Sequence, residues 1–169
     1  IFAFGIYPRV IKPNMDYKYA KKLLSEEKFD DSIEMFEALE DYKDSADMIK
    51  KVRCLQAENL IKKEGYDAAK EIYEDLGKND VVKEITYQDA KDLISEEKYA
   101  DAINILMNLD YKDSEEMLQI AEYGRGIQIF EGKDYRMAIG YFGKVKEYKD
   151  ALSKIGECKY LLGLECLDN

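Results

Sequence analysis

The chain has 169 residues, 46% of them hydrophobic and only two of them proline. That length suits one ordinary globular domain or a short repeat array, and the composition supports a core and argues against disorder. A charged fraction of 37% with a net charge of −10 leans toward helices with solvated faces and excludes the basic surface that nucleic acid requires. No histidine is present, which removes the commonest general base and the commonest metal ligand together.

Ile1-Phe2-Ala3-Phe4-Gly5-Ile6-Tyr7 is apolar and is closed by Pro8-Arg9 and then Lys12-Pro13. A bilayer span needs about 20 apolar residues. Residues 1–13 are therefore expected to be the truncated end of a transmembrane helix, with Tyr7 near the interface and Arg9 and Lys12 just outside it. The alternative is an N-terminal arm packed on the first repeat. No Met opens the sequence, and a fragment of a longer protein is expected.

From Asp16 onward the text repeats. Ser25-Glu26-Glu27-Lys28-Phe29-Asp30-Asp31-Ser32-Ile33 returns as Ser95-Glu96-Glu97-Lys98-Tyr99-Ala100-Asp101-Ala102-Ile103, and a fixed period governs the whole fold. The aromatic after each short polar turn is Phe29, Tyr66, Tyr99 and Tyr135, at steps of 37, 33 and 36 residues. Three positions later stand Ser32, Ala69, Ala102 and Ala138, and seven later Phe36, Tyr73, Leu106 and Phe142. Nine positions earlier stand Ala20, Ala57, Ala90 and Gly126, and six earlier Leu23, Leu60, Leu93 and Ile129. Spacings of three and four put these rows on one face of each of two helices. The small rows mark where paired helices cross at about 8 Å, and the large rows fill the space beside them. One helix pair cannot bury both of its faces, whereas stacked pairs can.

Each of three copies ends in a Tyr-Lys-Asp turn, at Tyr42-Lys43-Asp44, Tyr111-Lys112-Asp113 and Tyr148-Lys149-Asp150; the second copy keeps only Asp80. The aspartates are expected to cap the helices that follow, with Asp47 and Glu116 completing a capping box. The turn tyrosine is expected to cover the end of the preceding short helix. The long helices, for example residues 45–63, carry an apolar stripe that shifts phase midway, as expected for a helix touching neighbours on both sides. At the end, Tyr160, Gly163 and Cys166 occupy first-helix positions of a fifth unit, and Leu161, Leu162, Leu164 and Leu167 keep that helix apolar. A continuing protein, or burial against another chain, is expected there. Cys54, Cys158 and Cys166 show no CxxC pair or zinc spacing. If Cys158 and Cys166 share a helix they are about 12 Å apart, too far for a disulfide, so free thiols are expected.

These rows resemble the tetratricopeptide (TPR) pattern of small, tyrosine, small and aromatic positions in a unit of about 34 residues. The resemblance covers residues 16–169 and implies an all-α, right-handed α-solenoid of antiparallel helix pairs. Residues 14–169 would then hold about four repeats and the first helix of a fifth. The family's first-helix Trp is replaced by Tyr17, Tyr87 and Tyr123, with Cys54 in the remaining copy, and the turn Pro is missing. The Tyr-Lys-Asp-Ser form resembles repeats of membrane-tethered proteins of Gram-positive bacteria. That resemblance implies a location at the cell membrane with the repeats extracytoplasmic; the alternative is the cytoplasm.

Adjacent acids such as Glu26-Glu27, Glu96-Glu97 and Glu115-Glu116 do not face each other on a helix, so they make no acid/base dyad. Gly124-Arg125-Gly126 lies in a helical stretch without a preceding strand, which excludes a phosphate loop. No nucleophile–base pair is visible. The expectation is a non-catalytic module with no cofactor and no metal, whose partner is a protein or peptide, with the membrane engaged only through an N-terminal tether. In a TPR solenoid the first helices line the concave side. The matching residues are Tyr17, Lys21, Leu24, Lys51, Glu58, Ile61, Tyr87, Lys91, Ile94, Tyr123, Ile127 and Phe130, with Glu84 among them. They offer apolar contacts and tyrosine hydroxyls to an extended peptide or a helix; alternatively the tyrosines stand in for the Trp and are core. Two other roles remain open. One is a structural spacer or self-assembling stalk, a homo-oligomer through the apolar last helix. The other is a regulatory domain attached to an enzyme.

Overall fold

The computed structural model describes residues 12–63 and 65–167. The apolar segment Ile1–Tyr7 lies outside the described residues. Among those described the chain is all-helical, and no helix is long and apolar enough to cross a membrane. Short and long helices alternate: α1 (Lys12–Ser25), α2 (Phe29–Glu37), α3 (Ser45–Lys63), α4 (Asp67–Asp75), α5 (Asn79–Ser95), α6 (Tyr99–Leu106), α7 (Ser114–Glu131), α8 (Tyr135–Lys144) and α9 (Ala151–Glu165). Pro13 falls in the first turn of α1, where its missing N–H has no intrahelical partner to lose.

The chain divides into two compact units, Ile1–Val82 and Lys83–Asn169. In the first, α1 packs on α2, α2 on α3 and α3 on α4. Its core gathers Tyr17, Ala20, Phe36, Met48 and Val52. In the second, α6 packs on α7, α7 on α8 and α8 on α9. One core there joins Tyr87 and Ala90 of α5 to Ala102, Leu106 and Met117; another joins Ile129, Ala138, Phe142, Val145 and Cys158.

The small rows of the sequence are the crossings. Ala20, Ala57, Ala69, Ala90, Ala102 and Ala138 have no exposed surface, and Gly126 is buried with them. In the first copy the small residue is Ser32, whose hydroxyl donates to the Ala20 carbonyl at 3.0 Å across the α1/α2 contact, so its polar atom is satisfied. Phe36 and Phe142 are fully buried, each contributing roughly 2–3 kcal/mol. Where Gly126 lies under Phe142, a Cβ would stand 2.7 Å from the ring; only glycine permits that approach. Cys54 is half-buried, Cys158 buried and Cys166 exposed, all three as free thiols.

The turns work differently from the expectation. Asp113 and Asp150 occupy the N-cap positions of α7 and α9, yet neither side chain makes a cap bond; the expected capping box does not form at Asp113. A side-chain cap is made instead by Asp134, which accepts from the Met137 N–H at 3.0 Å at the start of α8.

Candidate peptide-binding face

The aspartates are engaged by the first-helix tyrosines. The Tyr17 hydroxyl donates to Asp44 Oδ1 at 2.5 Å, and Tyr87 and Tyr123 donate in the same way to Asp113 and Asp150. A carboxylate accepting from a hydroxyl is stabilised in its charged form, and the neighbouring phenol is held in its neutral one. Asp44, Asp113 and Asp150 therefore sit below the ordinary carboxylate value, the tyrosine bond being the largest cause. The three phenols are pushed up, first by that bond and then by burial, Tyr123 to about 12.

The turn lysine completes the cluster. Lys43, Lys112 and Lys149 have left-handed backbone, with φ of 56°, 49° and 48°, uncommon for a residue with a Cβ. The conformation sets each ammonium over two rings: Lys43 lies 4.7 Å from the Tyr17 centroid and 5.1 Å from Tyr42. Lys112 is 5.0 Å from both Tyr87 and Tyr111, and Lys149 is 5.1 Å from Tyr123 and 5.2 Å from Tyr148. Within each turn the two tyrosines meet edge to face, with centroids 6.1, 6.0 and 5.5 Å apart, the arrangement ring quadrupoles favour. The Tyr-Lys-Asp triplet is thus a clasp that fastens a turn to the helix whose tyrosine stands 26 or 27 residues before the aspartate.

The clasp changes what the first-helix face can offer. Tyr17 and Tyr87 are buried and Tyr123 half-buried, with hydroxyls already donated inside the chain. Glu84 is occupied too, accepting from Tyr111 Oη at 2.6 Å and from Lys112 Nζ at 2.6 and 2.9 Å. What stays accessible in the first unit is charge from Lys21, Lys51 and Glu58 around half-buried Leu24 and Ile61. In the second unit, exposed Lys91 stands beside half-buried Ile94, while Ile127 and Phe130 are half-buried partners of the α7/α8 core.

The first unit brings two of these positions to one cleft of about 290 Å³, where Leu24, Phe29 and Leu55 make an apolar floor and Glu58, Asn59 and Lys62 a polar lip. Asn59 also donates to Glu27 at 3.3 Å, and Gln128 donates to the Glu97 carbonyl at 2.8 Å at the equivalent place in the second unit. The chain matches no family model, no curated protein and no solved structure.

The clasp residues Lys43, Lys112 and Lys149 were not singled out by sequence reasoning. A signal was present. Tyrosine and aspartate recur at a separation of 26 or 27 in three copies, and both the tyrosine and the Tyr-Lys pair are lost together in the copy carrying Cys54.

Proposed function

We propose that this chain is a non-catalytic protein- or peptide-binding module, built as a right-handed TPR-like solenoid of antiparallel helix pairs and held at a bacterial membrane by its N-terminal segment. The observation that carries the binding role is the cleft of Leu24, Phe29 and Leu55 rimmed by Glu58 and Lys62. An apolar floor with charged edges takes up one hydrophobic side chain of an extended segment and orients the backbone around it. The solenoid is supported by buried small residues at the matched crossings of each copy and by the repeated clasp. Because the tyrosine hydroxyls are committed, recognition rests on Lys21, Leu24, Lys51, Glu58, Ile61, Lys91 and Ile94 more than on Tyr17, Tyr87 and Tyr123.

Selection of peptides from a displayed library tests this. Recovered peptides should bind the wild type and lose affinity for Leu24→Asp and for Glu58→Lys, the second being an exposed residue of the cleft outside the core. Peptides that bind both proteins equally would remove the cleft from the function.

A second reading, a spacer or stalk assembled through α9, is favoured by exposed Leu152, Tyr160, Leu164 and Leu167. Sedimentation over a concentration series separates it, since a dimer lost on Leu164→Glu belongs to the stalk alone.

A further inference from the structure

The first unit holds a second groove, of about 390 Å³, between α2, α3 and α4. It shares no residue with the cleft around Leu24. Half-buried Ile33 of α2 and Ile72 of α4 give it an apolar floor. Asp30, Glu34 and Glu37 of α2 and Asp75 of α4 line it with four exposed carboxylates, and Arg53 of α3 is the one cation among its lining residues.

The chain answers this charge only in part. Gln56 donates to Asp30 at 2.9 Å and Arg53 reaches Asp75 at 3.9 Å. The carboxylates of Glu34 and Glu37 have no hydrogen-bond or ion-pair partner among the described residues. Asp30, Glu34 and Glu37 stand at i, i+4 and i+7, a spacing at which like charges oppose the helix. Glu37 is also the last residue of α2, at the negative end of its dipole. The fold does not require these acids. At the corresponding positions of the second unit Ala100, Asn104 and Met107 replace Asp30, Glu34 and Glu37. The ion pair is inverted there as well: Lys144 of α8 meets Glu122 of α7 at 2.9 Å, where Asp75 of α4 meets Arg53 of α3. The same helix packing is thus built without an acidic groove.

We infer that the groove between α2 and α4 binds a basic segment of a partner protein, with Lys or Arg on both sides of one large apolar residue. The apolar side chain rests on Ile33 and Ile72, and the cations meet Glu34 and Glu37 along α2 and Asp75 on α4. A concave surface lined by one sign of charge focuses its field on such a segment, and the same charge repels acidic competitors. A second copy of the chain is a poor occupant, because each copy carries a net charge of −10 and repels its like. This groove extends the binding-module reading to a separate surface, and either surface can fail without the other.

The probe is the fluorescein-labelled peptide Lys-Arg-Leu-Lys-Arg-Gly, titrated with the full chain at about 50 mM salt, where screening is weak, and read by anisotropy. Saturable binding is expected. Glu34→Gln with Glu37→Gln should weaken it roughly tenfold and leave the circular dichroism unchanged, since both side chains are exposed. Glu116→Gln with Glu131→Gln removes the same charge from exposed positions of α7 and should change affinity by less than about twofold. Glycine in place of the peptide's leucine should cost roughly fivefold. Absence of saturable binding overturns the inference. Equal losses in the two double variants overturn it too, because the attraction would then belong to the net charge of the whole chain. So does binding that ignores the leucine and is displaced by an equal concentration of spermidine, because the groove would then take a small polyamine.

Discussion

Two glycine-to-alanine substitutions in helices should shift stability in opposite directions. In a helix interior Gly→Ala gains about 1 kcal/mol from reduced backbone freedom and better propensity. At Gly156 of α9 nothing stands within 4 Å of the new methyl, so the full gain is expected. At Gly126 of α7 the methyl would meet the Phe142 ring at 2.7, 2.9 and 3.2 Å. That ring is fully buried and has nowhere to swing, so the backbones must separate. Overpacking of this kind costs about 1–3 kcal/mol, which outweighs the propensity gain. Gly126→Ala should therefore lie about 2 kcal/mol below Gly156→Ala, or about 4–8 °C in Tm for a chain of this size. Urea unfolding followed at 222 nm measures both. Equal stabilisation by the two changes would mean that α7 and α8 do not cross at Gly126, and the assignment of small residues to crossings would fall with it.

Ala90→Trp fills another crossing, since Ala90 has no exposed surface inside the core shared by α5, α6 and α7; a cost of several kcal/mol is expected, and a melting temperature near wild type would contradict it. Tyr87→Phe and Asp113→Ala each break the same clasp bond, so their effects should be less than additive in a double-mutant cycle; strict additivity would show that the bond contributes nothing. In the clasp of Tyr123 and Asp150 the phenol's folded pKa, about 12, is raised, so its stabilisation is complete below pH 10 and disappears as pH climbs through 12. The carboxyl's folded pKa is lowered, so its contribution holds above the unfolded value and disappears as pH falls below it. Asp150→Asn should bring the ¹³Cζ titration of Tyr123 down toward 10, and an unmoved midpoint would assign the shift to burial alone.

The helical core was legible because it is periodic. Rows such as Ala20, Ala57, Ala90 and Gly126 depend on spacing alone, and their burial follows from geometry common to any pair of crossing helices. Helix α3 occupies the expected 45–63 and touches helices on two sides. The turns were not legible in the same way. An aspartate ahead of a helix has two competing partners, the backbone N–H groups of the first turn and any donor that packing brings near. Local sequence displays the first and hides the second. At Asp113 and Asp150 the phenol is the partner, because core packing holds Tyr87 and Tyr123 where their hydroxyls meet the turn. The same blindness made the tyrosine hydroxyls look available to a ligand.

One of the four copies lacks the clasp. Three clasps join Tyr17 to Asp44, Tyr87 to Asp113 and Tyr123 to Asp150. At the fourth place the tyrosine is Cys54 and the matching acid is Asp80, at the start of α5. A thiol is a weak donor and too short to reach across a turn, and the Cys54 carbonyl instead accepts from Tyr73 Oη at 3.4 Å. The turn changes with it: the residue before Asp80 is Asn79, already in α5, where the other copies have a left-handed lysine, and the positive φ lies at Gly77 (67°). Each intact clasp fastens a turn to the core of the preceding helix pair, and the copy carrying Cys54 lacks that fastening.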